Sequence, residues 1–121
     1  VDPAQPETLV RALAELLPIG AVQREDAAAW VAFGAAASTR PWLADPYWEA
    51  LRIMRTWVEG VLVDARKAGR MRADLPPAEG ARLVTALVNG LTLDLLNAPP
   101  TESDEVIGQL RSGLGLVLRG L

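Results

Sequence analysis

The stretch Arg66–Leu96, RKAGRMRADLPPAEGARLVTALVNGLTLDLL, decides the fold because it ends one helix, turns a corner and begins a second helix. Arg66 and Lys67 precede Gly69, which is typical of a helix C-terminus, where cations favour the negative end of the dipole and glycine closes the turn. Pro77 suits a helix start, since the first helical N–H has no partner to lose. The stretch therefore predicts a helix, a tight corner and another helix.

The helix that begins near Pro77 is unusually apolar. Its apolar side chains cover well over a third of the circumference, a wider stripe than the roughly 100° expected of a helix with one side in water. These residues are Leu83, Val84, Leu87, Val88, Leu91 and Leu95. We therefore expect this helix to pack against neighbours on two sides.

The parts of this stretch also follow a particular order. A basic helix end with Ala68-Gly69 is followed by the short link Arg70–Leu75, by prolines, and by the segment Ala81–Leu91. In this order the stretch resembles the C-terminal ligand-binding and dimerisation domain of TetR-family transcriptional regulators. The helical pattern agrees with that domain over nearly the whole chain.

The resemblance implies that residues 1–121 form one effector-binding and dimerisation domain, an all-α five-helix bundle that assembles as a homodimer. It also implies a cytoplasmic protein that is not an enzyme, needs no cofactor and responds to a small, mostly apolar effector. In that family a helix-turn-helix domain precedes this region. We therefore expect DNA to be bound only through such an N-terminal domain, which this chain lacks.

Composition excludes several functions without any reference to a family. The 121 residues include no cysteine and no histidine, so disulfides, Ser-His-Asp triads and ordinary zinc sites are excluded, and no metal site is predicted. No pair of acids lies at helical spacing on a shared apolar face, which argues against an enzyme. The net charge of −3 is a poor match to nucleic-acid phosphates.

Hydropathy sets a further limit. Half of the residues are hydrophobic and the mean hydropathy is +0.18, so some apolar surface is expected to cover a partner or to line a cavity. The longest uncharged run, 27–39, is shorter than the roughly 20 apolar residues of a membrane span. No transmembrane helix and no membrane partner are predicted.

Local start and stop signals predict five helices. The third is expected to begin at Asp45-Pro46, with Asp45 as N-cap and proline at the first helical position. The fifth is expected to follow a capping box at Thr101-Glu102-Ser103-Asp104. The predicted helices are 6–17, 22–39, 46–68, 77–97 and 104–120.

One face of the second predicted helix carries two rings with small residues between and beside them. Either a neighbouring helix packs closely against the small residues, or the face forms the wall of a cavity. For the cavity we predict a ligand between the second, third and fourth helices. Its contacts would be Trp30, Phe33, Ala37, Met54, Trp57, Leu83, Leu87, Asn89 and Asp94. An inward Asp94 would favour a cationic head group, and an outward Asp94 a neutral, hydrophobic effector.

The last two predicted helices are expected to pair with their symmetry copies as a four-helix bundle. The predicted dimer interface consists of Val84, Val88, Leu91, Leu95, Leu110, Leu114, Val117 and Leu118. The competing hypothesis is a helical oligomerisation module with a solid core and no ligand. A cavity within the helices would separate the two.

Overall fold

The computed structural model describes residues 5–98 and 103–121, with side chains in the second range described from residue 105 onward. Five α-helices account for most of them, which confirms the predicted all-α class. They are α1 (Pro6–Ala14), α2 (Ala21–Ala37), α3 (Pro41–Lys67), α4 (Pro77–Asn97) and α5 (Ser103–Leu114). None of the described helices is long and apolar enough to cross a membrane.

Helix α4 has the predicted bounds, whereas α3 begins earlier than predicted. Pro41 occupies the first turn of α3, and Arg40 before it is extended, with φ −128° and ψ 99°. Pro46 therefore lies inside the helix, where its missing N–H leaves one helical carbonyl without its usual donor. Pro41 and Pro46 suit a helix start equally well, and α3 begins at Pro41.

Two other helices are shorter than predicted. Helix α1 ends at Ala14 and continues as tight turns in which Leu16 and Leu17 donate to carbonyls three residues earlier. Helix α5 ends at Leu114 instead of Gly120. The predicted capping box lies partly on Thr101 and Glu102, which are outside the described residues.

The residues that follow α5 leave the helix because they pair with the corner between α3 and α4. The backbone N–H of Arg72 donates to the carbonyl of Val117 at 3.1 Å, and that of Arg119 donates to Arg70 at 2.7 Å. Met71 and Leu118 form the antiparallel bridge between these two segments. The C-terminal segment thus closes the corner that the sequence predicts.

The corner is also held from the α3 side. Gly69 has φ 74°, a left-handed conformation that favours glycine. The guanidinium of Arg66 donates to the carbonyls of Ala73 at 2.8 Å and Leu75 at 3.1 Å. The basic character of this segment thus serves the helix end and its turn.

Helix α4 lies at the centre, in contact with α2, α3 and α5. One face is buried along its whole length, including Thr85 and Thr92, whose hydroxyls donate to the carbonyls of Ala81 and Val88. This satisfies both buried hydroxyls within the helix. The expectation that the apolar helix needs neighbours on two sides is met by the chain itself.

This central position places the residues of the predicted dimer interface inside the protomer. All eight residues assigned to it are buried within the single chain, where they pack against α1 and α3: Val84, Val88, Leu91, Leu95, Leu110, Leu114, Val117 and Leu118. A side chain enclosed by its own chain has no surface to offer a second copy. These residues form the core of the protomer.

Candidate ligand cleft

A mainly apolar cleft of about 250 Å³ opens between the α1–α2 turn, α2, α3 and α4. Its floor and walls come from short stretches of all four segments. The lining residues are Glu15, Leu16, Gln23, Asp26, Ala27, Trp30, Met54, Val88, Asn89 and Thr92. A mostly apolar concavity with a few polar groups is the usual form of a small-molecule site.

Three of the predicted ligand residues meet in this cleft, namely Trp30 from α2, Met54 from α3 and Asn89 from α4. The indole Nε1–H of Trp30 donates to the side-chain oxygen of Asn89 at 3.1 Å. This hydrogen bond joins α2 to α4 across the back of the cleft. The polar side chain of Asn89 therefore has a structural role, which is to link α4 to α2.

Behind Trp30 lies a compact aromatic cluster. The ring of Tyr47 stacks on Trp30, with centroids 4.9 Å apart and planes 17° apart. Phe33 meets Trp30 edge-on at 6.0 Å and Tyr47 edge-on at 5.6 Å. Such offset and edge-to-face contacts are the favoured geometries of aromatic pairs. The cluster fixes the indole plane and thus the direction of its N–H.

Tyr47 also fills the gap that the sequence predicts between the rings and the small residues of α2. A Cβ added to Gly34 would lie 3.0 Å from Cε1 of Tyr47, so the tyrosine packs directly on the glycine. The close-packing interpretation is therefore correct at this position. No local signal in the sequence identifies Tyr47 as the residue that fills this gap, because its placement depends on how α3 crosses α2.

Phe33 accordingly belongs to the aromatic cluster and does not line the cleft. Ala37 lies further along α2, beside a shallow depression that it shares with Tyr47 and Trp48. Trp57 is 47% exposed and faces outward from α3. Because Trp57 is three positions beyond Met54, it is rotated by about 60° away from the cleft side of the helix.

The remaining predicted ligand residues lie on the other side of α4. Leu87 is two positions from Asn89 and therefore about 160° away around the helix, and Leu83 and Asp94 share its arc. Leu83 and Asp94 are exposed and Leu87 is half-buried. The structure therefore separates these three residues from the cleft, and Asp94 points outward.

The charged residues that line the cleft are all acidic. Glu15 and Asp26 are exposed at its rim, and none of the residues that line it is basic. The nearby Arg24 donates to the carbonyl of Leu96 at 2.8 Å, which ties α2 to the end of α4. An anionic ligand would meet two like charges here without a compensating cation.

A larger groove of about 530 Å³ lies between α3 and the start of α4, but its charges largely cancel. Arg52, Arg55 and Arg82 line it together with Asp45, Glu49 and Glu59. The Arg52 side chain pairs with Glu49, and this hydrogen bond lowers the pKa of the Glu49 carboxyl. Within the described residues, no group of acids could hold a metal ion.

On the far side of α4, an apolar depression of about 210 Å³ lies at the surface shared with α5. Leu83 is 53% exposed and Leu116 is 69% exposed, and both line it with Leu87 and Gly113. We call this region, completed by the exposed Gly90 on the same arc of α4, the outer α4–α5 face. It is an apolar surface that these two helices leave uncovered.

The five-helix domain thus has an apolar cleft on one side of α4 and an uncovered apolar face on the other, an arrangement suited to an all-helical ligand-responsive domain. Residues 6–119 match the family described as "BetI-type transcriptional repressor, C-terminal", and the chain belongs to this family of TetR C-terminal domains. The match confirms the resemblance noted in the sequence. The family is not one of enzymes.

A solved structure agrees with this assignment. The crystal structure of a transcriptional regulator from Rhodococcus sp. Rha1 superposes with a TM-score of 0.79 at 28% sequence identity. The match covers 100% of this chain and 62% of the regulator, so the present chain spans less than two thirds of that protein. No curated protein matches the chain.

Proposed function

We propose that this chain is the effector-sensing and dimerisation domain of a cytoplasmic TetR-like regulator. A small, mostly apolar ligand binds in the cleft beside Trp30 and Asn89 and thereby controls DNA binding by a domain outside these 121 residues. The observation that carries the proposal is the cleft itself, which is lined by the α1–α2 turn, α2, α3 and α4 at once. A ligand there can favour one arrangement of these helices over another.

The contacts around the cleft support this coupling. Trp30 and Arg24 each bond to α4, through Asn89 and Leu96 respectively, so the position of α2 depends on two polar links to the central helix. A ligand wedged between α2 and α4 would strain or reinforce these links. Only a ligand with different affinities for the two arrangements would shift the equilibrium between them.

The second part of the proposal is a two-fold dimer through the outer α4–α5 face. Leu83 and Leu116 are exposed there, and a Cβ on Gly90 would meet nothing within 4 Å, so the surface is open to close approach. A self-complementary patch on two adjacent helices suits a four-helix bundle with a symmetry copy. This face replaces the buried residues that the sequence assigned to the seam.

The ligand part is tested by thermal unfolding of the chain with and without acetophenone or indole. A compound that binds only the folded state raises the melting temperature, because it adds RT ln(1 + [L]/Kd) to the free energy of unfolding. Ala27→Phe would place a ring in the cleft and should remove the shift, whereas Ala28→Phe, at an exposed neighbouring position, should keep it.

Two results would contradict the ligand proposal. A shift that survives Ala27→Phe would place the binding site elsewhere. The absence of any shift with either compound, together with a stable dimer, would favour the alternative of an oligomerisation module without a ligand, which the tight packing of Tyr47 against Trp30 supports.

A further inference from the structure

We infer that Asn89 is a hydrogen-bond donor to the ligand, and that the cleft therefore selects uncharged apolar compounds carrying an oxygen acceptor, such as aryl ketones or esters. This inference rests on the proposed function and names the ligand class of the same cleft. It concerns the amide nitrogen of Asn89, the half of the side chain that Trp30 does not use.

The orientation of the Asn89 amide follows from the chemistry of its partner. An indole N–H can only donate, so the atom it meets at 3.1 Å is the amide oxygen. The NH₂ group then occupies the other arm of the amide. Among the described residues, no group accepts a hydrogen bond from it.

The amide is held in this orientation by the aromatic cluster. Tyr47 stacks on the indole and Phe33 abuts its edge, so the N–H of Trp30 keeps its direction. A flipped amide would set an N–H of Asn89 against the N–H of Trp30 and would lose their hydrogen bond. Asn89 therefore presents a donor, and not an acceptor, on the side away from Trp30.

The other polar groups of the cleft do not provide an equivalent donor. The hydroxyl of Thr92 is engaged with the carbonyl of Val88 at 2.7 Å. The whole side-chain amide of Gln23, its NH₂ group as well as its oxygen, folds back over Gly20 at the turn before α2. Asn89 is thus a half-buried amide donor between α2 and α4, in a mainly apolar cleft.

The ligand oxygen that accepts a hydrogen bond from Asn89 should be uncharged. The carboxylates of Glu15 and Asp26 lie at the rim, and no cation lines the cleft, so a carboxylate ligand is disfavoured. A site built to donate to an oxygen discriminates against an analogue that lacks it, because the donor is then left unpaired. A ketone or ester oxygen meets both conditions.

The inference is tested with four probes that share one ring: acetophenone, ethylbenzene, benzoate and phenethylammonium. Isothermal titration calorimetry with the unmodified chain should rank acetophenone about tenfold tighter than ethylbenzene, the change expected of one net hydrogen bond. Benzoate should bind more weakly than acetophenone. Equal affinities of acetophenone and ethylbenzene, or a tighter phenethylammonium complex, would overturn the inference while leaving the proposed function intact.

Variants then locate the donor. Asn89→Leu should bring the ratio of acetophenone to ethylbenzene affinities close to one, and Asn89→Asp should do the same because it keeps an oxygen for Trp30 but offers no N–H. Asn97→Leu is the matched control on the same helix, since the Asn97 amide donates to Leu93 at an exposed site. It should leave the ratio unchanged.

Each outcome has one meaning. A ratio that persists in Asn89→Leu, in a variant that melts cooperatively, would assign the selectivity to another group and overturn the inference. Failure of all four probes to bind the unmodified chain would count against the cleft as a binding site, and hence against both the inference and the proposed function.

Discussion

Tyr47 determines which part of the α2 face is solid and which part is open. Its ring lies against Trp30, Phe33 and Gly34, so the space beside these residues is filled by α3 and the cleft begins on the other side of Trp30. The sequence shows the rings and the small residues of α2. It cannot show which side chain of another helix enters between them, because that depends on the crossing of two helices.

Tyr47→Ala should therefore open a gap where the chain is now packed. We expect the free energy of unfolding to fall by about 2–4 kcal/mol, since truncation of a packed aromatic removes its contacts and leaves a void. Urea unfolding measures the loss. Trp48→Ala is the control at the next position, which is exposed, and it should cost less than about 1 kcal/mol. An equal loss in both variants would contradict the role given to Tyr47.

Glu7 and Arg111 form an ion pair between α1 and α5. This pair makes the stability of the folded chain depend on pH in a direction that can be derived. The hydrogen bond from Arg111 lowers the pKa of Glu7 below 4.5. The pair's contribution is therefore fully present above the unfolded pKa and is lost as the pH falls through the lower folded pKa. Both side chains are about half-exposed, so the contribution is also weakened by salt.

Glu7→Gln should accordingly lower the melting temperature slightly at pH 7 and low salt, and the difference from the unmodified chain should disappear well below pH 4.5. Scanning calorimetry at the two pH values checks this. Glu25→Gln, at an exposed site of α2, is the control and should show no such pH-dependent difference. A Glu7→Gln effect that grows at low pH would contradict the assignment.

At the scale of the helices, two glycines can be contrasted. The backbone at the corner after α3 requires a glycine, whereas the backbone within α3 does not. Gly69 has φ 74°, whereas Gly60 lies within α3, and a Cβ added to it would meet nothing within 4 Å. Gly69→Ala should cost about 1 kcal/mol, because alanine disfavours the left-handed region. Gly60→Ala should stabilise by up to about 1 kcal/mol through helix propensity.

Chemical unfolding of the two alanine variants checks these opposite signs in one experiment. A loss of stability at both glycines would show that the space around α3, and not the backbone conformation at residue 69, decides the outcome. A gain at both would show that the left-handed turn is not required.

The helix boundaries show how far local sequence signals reach. Pro76-Pro77 and Ala98-Pro99-Pro100 bracket α4, and its observed bounds are the predicted ones because start and stop are both local. The neighbouring sequence could not show whether α3 begins at Pro41 or at Pro46, since both prolines fit the first turn of a helix. The end of α5 depends on pairing with the distant Arg70–Arg72 segment. The residues near the end of α5 do not predict this pairing.

At the scale of the whole molecule, the same limit explains why the structure separates some of the predicted ligand residues and buries the predicted dimer residues within the protomer. A wide apolar stripe predicts that a helix packs against two neighbours. It does not indicate whether those neighbours belong to the same chain or to a second copy. In α4 the buried arc is covered by the chain itself, and Leu83 with Leu87 is left on the outer α4–α5 face. Trp30, Met54 and Asn89 could be placed together from sequence because they fall on facing arcs of three consecutive helices.

Leu114 and Leu116 provide a matched pair that separates folding from assembly. Leu114 is 0% exposed in the core, so Leu114→Glu should unfold the chain, because a buried carboxylate without a partner costs several kcal/mol. Leu116 is 69% exposed on the outer α4–α5 face, so Leu116→Glu should remain folded and shift the dimer to monomer. Circular dichroism reports the first effect and light scattering the second.

The result that would reject the dimer surface is a folded Leu116→Glu variant with an unchanged dimer mass. Leu121→Glu, at a less exposed apolar position outside the outer α4–α5 face, serves as the control for a general effect of added charge. It should stay folded and dimeric.

The bridge between Met71 and Leu118 has a consequence for the order in which the domain can be built during translation. The strand-like partner of the α3–α4 corner is synthesised after α5, and α1 packs against α5 from the other end of the domain. Helices α2, α3 and α4 can emerge from the ribosome and begin to associate, but the core they enclose stays open until residues 103–121 have left the exit tunnel. A ribosome stalled before α5 would therefore hold a chain with its central helix still exposed.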